Sequence, residues 1–230
     1  MKLSKISSIC FVTAATGLSM MANAASVIPS FQNGLAGWTA GGDVTTGLHS
    51  GRHVAVLTTA HSTLESGADA INQSGFDPLV AGGDLEDFAG IAPGGLDRDV
   101  LEQATEGSVV KLGMTVAAGD VLKFDWNLRT HDSMGADYAF FMVNGVVVNT
   151  FSSALSVNVA NGVFGNEAGF STVSYEFTSA GPVEIVFGVV DMTDYVGTST
   201  LMVGNVVVPE PSAALLGVLG IIPLFRRRRA

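Results

Sequence analysis

Cysteine is almost missing from this chain. The single one, Cys10, falls inside the N-terminal stretch "MKLSKISSICFVTAATGLSMMANAASV". From residue 25 onward there is no thiol, which excludes disulfides, cysteine-ligated zinc and a cysteine nucleophile from the body of the protein. Basic residues are also few. Lys2, Lys5 and Arg226 to Arg229 account for six of the 11 Lys and Arg, and Glu210 for one of the 21 Asp and Glu. The body therefore keeps five basic residues against about 20 acidic ones, a net charge near −15. Such a body repels nucleic acid, whose binding wants a basic face, and attracts divalent cations. Neither His-Glu-x-x-His nor Gly-x-Ser-x-Gly occurs, so two common hydrolase signatures are missing. His49 and His53 share a face of an extended strand but sit about 13 Å apart, too far for one metal.

Long apolar runs are lacking too. The longest near the C-terminus, Ala213 to Phe225, is shorter than the roughly 20 residues a spanning helix needs. Four arginines follow it, and by the positive-inside rule they hold that end at the cytoplasmic face while the body is exported. At the other end, Lys2 and Lys5 precede an apolar stretch, and Ala22-Asn23-Ala24 supplies a small-x-small cleavage site. This is a Sec-type signal peptide over residues 1–24, with the Sec translocon and signal peptidase as its partners. Cys10 precedes the apolar run and follows Ser7-Ser8-Ile9, so it is not a lipidation site.

What the chain does have is alternation. "VLKFDWNLRT" puts Leu122, Phe124, Trp126 and Leu128 on one face, and "SVVKLGMTV" does the same with Val110, Leu112, Met114 and Val116. "TVSYEFTS" and "PVEIVFGVVD" repeat the pattern, and "TLMVGNVVV" forms a last strand leading into the tail. Asn144-Gly145 between two apolar runs marks a hairpin. The expectation is one all-β domain over 25–208, a jelly-roll-like antiparallel β-sandwich. Residues 66–107 interrupt it as an acidic, partly helical insertion, with "DLEDFAG" and "LDRDVLEQAT" as helices capped by Asp84 and Asp97. A signal helix precedes the domain and a short hydrophobic helix follows it.

Pro209-Glu210-Pro211, a short apolar segment and the cluster Arg226, Arg227, Arg228 and Arg229 follow one another in order at the C-terminus. This tail, 209–230, resembles the PEP-CTERM sorting domain of Gram-negative bacteria. The resemblance implies recognition by an exosortase in the inner membrane, processing near the Pro-Glu-Pro, and transfer to the cell surface or an extracellular, exopolysaccharide-bearing matrix. "FQNGLAGWTAGGDV" is similar to the opening strand of jelly-roll modules of the carbohydrate-binding type. Residues 104–145 are similar to the β-sandwich ectodomains that precede such tails, although Gly204 stands where that pattern often has an acidic residue.

Two constellations stand out. "HDSMGADY" brings Asp132 and Asp137 close to the end of the strand carrying Asp125, and "DMTDY" adds Asp191 and Asp194; these five are candidate calcium ligands, since calcium takes several hard oxygens at about 2.3–2.6 Å. Equally, Asp is common in turns for local hydrogen-bonding reasons, and no EF-hand loop occurs. Trp38, near a Gly-rich turn, is a candidate sugar-stacking ring, whereas Trp126 alternates in phase with the core. The sequence thus points to an exported, non-catalytic structural or adhesive sandwich that contacts extracellular polysaccharide. The rivals are a glycan hydrolase built on paired carboxylates and a calcium-stabilised lectin.

Overall fold

The computed structural model describes residues 28–63, 72–131, 137–152, 157–161 and 164–209. Strands, numbered in chain order, form two antiparallel sheets. In the first, β1 (Thr39–Gly41), β5 (Ala104–Val116), β12 (Gly181–Met192), β7 (Tyr138–Val143) and β8 (Val146–Ser152) run side by side, and β4 (Leu79–Val80) also pairs with β5. In the second, the order is β2 (Asp43–His49), β3 (Arg52–Thr58), β13 (Ser199–Val207), β6 (Val121–Thr130), β10 (Phe164–Glu167) and β9 (Val157–Asn161). There β11 (Ser171–Glu176) continues the edge that β10 begins on β6.

The period-2 alternation sets which face each strand buries. Leu122, Phe124, Trp126 and Leu128 from the second sheet meet Val110, Leu112, Ile185, Phe187 and Phe141 from the first. At the centre the Phe187 ring lies 4.8 Å from that of Phe124 and 5.2 Å from that of Phe141. The Asn144-Gly145 hairpin forms as expected between β7 and β8, with φ of 49° and 73°, the paired positive values of a type I′ turn. The sequence expectation of an all-β sandwich is met.

A second, smaller core lies on the outer face of the first sheet. Val109, Tyr138, Phe140, Met142, Val186 and Val190 point away from the main core and are covered by Leu85, Ala89 and Leu96. The close approach is possible because position 188 is glycine: a Cβ there would stand 2.3 Å from the Phe140 ring. The acidic segment thus has no core of its own and completes one against the sheet. Helix α1 (Asp84–Ala89) forms as expected, but Asp84 is its first residue and Gly83 its N-cap. Glu86, fully buried, accepts from the backbone N–H of Gly83 and of Gly94. The second expected helix is absent. Asp99 Oδ1 takes the N–H groups of Leu101 and Glu102, and Asp97 Oδ1 that of Ala104, so these side chains close turns instead of capping a helix. By Ala104 the chain has entered β5.

Candidate functional site

The five candidate aspartates do not form one group. Along β12 the inward residues are Ile185, Phe187 and Val189, so the next in phase is Asp191. Along β5 the same phase runs from Leu112 and Val110 through Ser108 to Glu106, which pairs directly with Asp191. On the other side of β12, Val190 pairs with Tyr138, which puts Asp137 beside Asp191. Glu106, Asp191 and Asp137 therefore form a row across three adjacent strands at one end of the sandwich, each only 1% exposed. The apolar core ends in acid.

The second sheet faces this row with Ser199 and Thr130, themselves a cross-strand pair. Ser199 Oγ donates to Asp137 Oδ2 at 2.5 Å, and Met192 N donates to Asp137 Oδ1 at 3.1 Å. Asp191 differs. Both its carboxylate oxygens are buried and neither meets an N–H or hydroxyl donor, which leaves the Asp137 carboxyl as its side-chain partner. Burial first, then the charges of Asp137, Glu106 and Asp194, push its carboxyl up to about 10. A hydrogen bond between Asp191 and Asp137 requires a proton on one of them. As they stand, no three His, Asp or Glu side chains among the described residues converge closely enough to hold a metal.

Asp125 belongs elsewhere. In β6 the inward residues are even-numbered, so Asp125 projects from the opposite face of its sheet. There it accepts from Thr172 Oγ1 at 2.5 Å, Asn205 Nδ2 at 2.7 Å and Arg52 Nε at 3.0 Å. Burial acts to raise its pKa, but these hydrogen bonds and the Arg52 charge outweigh it and hold the carboxyl below its ordinary value. A calcium site shared by Asp125 with Asp137 and Asp191 is thereby corrected. Asp194 is exposed in a turn, its Oδ1 accepting from Val196 N at 2.8 Å. Asp132 lies outside the described residues.

Trp38 is also corrected as a surface platform. It is 7% exposed, its ring lies 4.9 Å from Phe31, and its Nε1 donates to the Pro29 carbonyl at 2.9 Å. The ring is spent inside the core. At the sandwich end far from the acidic row, an open groove of about 490 Å³ is lined by Met114, Asn144, Pro182, Val183 and Glu184 among others. Its lining has no aromatic ring and one carboxylate. Pro209 is exposed just past β13, while Ala22, Ala24, Glu210, Pro211 and Arg226 to Arg229 lie outside the described residues. Among the described residues no helix is long and apolar enough to cross a membrane.

Sequence reasoning missed Glu106 and Asp43. Glu106 carries the same two-residue spacing as Val110 and Leu112, a signal open to anyone who extends the phase past the last apolar residue. Asp43, 1% exposed, accepts from Thr58 Oγ1 at 2.5 Å and from the N–H groups of Gln73 and Ser74.

No protein-family model matches this chain, and no curated protein matches it. Solved structures do. A CBM4 domain is 13% identical with a TM-score of 0.35, covering 77% of this chain and 97% of that one. The cleaved adhesin domain of Lys-gingipain from Porphyromonas gingivalis is 11% identical with a TM-score of 0.41, covering 78% and 98%. The carbohydrate-binding module TmCBM27, described for specific mannan recognition, is 15% identical with a TM-score of 0.35, covering 75% and 87%. At these scores the likeness carries no argument about function.

Proposed function

We propose that this chain is exported, sorted at its C-terminus by an exosortase, and displayed on the cell surface or in an extracellular matrix. Its sandwich is a non-catalytic structural or adhesive module in contact with polysaccharide. The observation that carries the sorting reading is the order of the chain's parts. A cleavable export signal precedes the sandwich, and the Pro209-Glu210-Pro211 motif begins two residues after Val207, the last residue of β13. β13 is held on both sides, by β3 and by β6, so a tail processed at this motif is joined directly to an interior strand. That suits a protein meant to be held by its end. The polysaccharide contact rests on the similarity of residues 31–44 to carbohydrate-binding jelly rolls.

Fractionation of cells expressing wild type and Glu210→Ala tests the sorting reading. Wild type is expected at the surface in processed form, and the variant retained with its tail uncut. A variant that reaches the surface unprocessed and in equal amount would sink the proposal. Binding of the exported protein to a glycan array tests the contact, and an array with no bound polysaccharide rejects it.

A further inference from the structure

From Tyr138 to Asn166 the chain has no Asp, Glu, Lys, Arg or His, in a body whose net charge is near −15. The fold gathers this run on one flank. It supplies β8, which ends the first sheet, and β9, which ends the second. Phe151 of β8 stacks on Trp126 of β6 with ring centroids 4.2 Å apart, and β6 leads on to β10 and β9, so both sheets end on the same side. Of the strands here, only β10 and β11 carry charges: Glu167, paired with Arg129, and Glu176. Among the described residues β8 pairs with β7 and no other strand, so a row of its backbone N–H and C=O groups faces outward. Natural edge strands are blunted by Lys, Pro, inward-pointing charges or bulges, and "VVVNTFS" has none of the first three. Its bulge, at Val148, lies between Val147 opposite Met142 and Asn149 opposite Phe141. From Asn149 onward the pairing is regular, and Asn149 and Thr150 are exposed. The opposite flank differs: β1 has three residues, and β2 begins on Asp43 and ends on His49.

We propose that this flank is a self-association surface, on which the β8 edge of one chain pairs antiparallel with the β8 edge of a second copy. Charge selects the occupant. Two bodies of this net charge repel one another, and the β8 edge is where they approach without bringing like charges together. Backbone hydrogen bonds between strands need no charge, so attraction is available where repulsion is smallest. A basic partner, which the acidic body would otherwise draw in, finds no carboxylate on this strand. Val146 and Val148, 64% and 39% exposed, add apolar surface beside the β7–β8 turn. Identical antiparallel strands related by a two-fold axis present the same residues to each other, so the contact closes as a dimer. The dimer is independent of the sorting and polysaccharide readings.

Thiol cross-linking in cells expressing the full chain tests this, because Cys10 is the only native thiol and wild type supplies the background. Asn149→Cys and Thr150→Cys, on the edge, are compared with Leu48→Cys, exposed on β2 at the opposite flank. A band of twice the chain mass is expected from at least one of the two edge variants, and none from wild type or Leu48→Cys. Sedimentation of the purified full chain in mild detergent, with no added cysteine, should show a dimer. Its Kd should rise roughly tenfold in Thr150→Asp, which sets like charges across the two-fold axis. A wild type that sediments as a monomer overturns the proposal, as does a dimer that Thr150→Asp leaves equally tight. Equal cross-linking through Leu48→Cys, or edge cysteines that capture only a different protein, overturns it as well.

Discussion

Asp125 projects from the outer face of the second sheet and Asp191 from the inner face of the first, and the fold treats them in opposite ways. Asp125 is ringed by a guanidinium, an amide and a hydroxyl, and its carboxyl is held below its ordinary value. Asp191 has carboxylates for neighbours, no N–H or hydroxyl donor, and a carboxyl pushed far up. Asp43 sides with Asp125: its three donors tie residues 73–74 back to the start of β2. One kind of buried acid holds the structure together, and the other costs stability because it must take up a proton to be buried. Asp43 and Asp191 are each 1% exposed, so the same side chain at the same depth has opposite signs of effect, decided by the donors around it.

That contrast is sharpened first at Asp43. Asp43→Ala strands Thr58 Oγ1 and two backbone N–H groups and is expected to cost about 3 kcal/mol, read from the shift of the urea midpoint at constant m. Asp125→Ala leaves Arg52, Thr172 and Asn205 without their acceptor and is expected to cost about 2 kcal/mol. Its pH dependence has a definite sign. A carboxyl held low in the folded state contributes stability that is present above its unfolded pKa, about 3.9, and is lost as pH falls through the folded value. Asp125→Ala should therefore flatten the acid limb of the stability curve below about pH 4. An unchanged limb would mean that Asp125 is not held low. Tyr138→Phe removes the donor to the Leu96 carbonyl at 2.5 Å and is expected to cost about 1 kcal/mol. It should also speed proteolysis within residues 96–103, the stretch this bond pins to the first sheet.

Parity explains what could be read from the sequence. The faces of β5, β6 and β12 follow from alternation alone, because one face of each meets the opposite sheet. The same parity separates the two aspartates: Asp125 is out of phase with Phe124 and Trp126, and Asp191 is in phase with Phe187 and Val189. What alternation cannot supply is register. Only the pairing of β5 with β12, and of β12 with β7, brings Glu106 and Asp137 to either side of Asp191. The turn-forming behaviour of Asp97 and Asp99 was hidden because acidic residues serve helix starts and tight turns equally well. The glycines beside Trp38 suggest a surface turn, while its ring packs inward on Phe31.

The donors around a buried aspartate set the sign of its contribution. Melting of Asp125→Asn and Asp191→Asn at pH 7 in chelator tests it most directly. Asp125→Asn should lower Tm, since an amide is a weaker acceptor for Arg52. Asp191→Asn should raise it by about 4 °C, because the amide is neutral without the proton that a carboxyl pushed up to about 10 must take up on folding at pH 7. A fall in Tm for both variants would contradict the account.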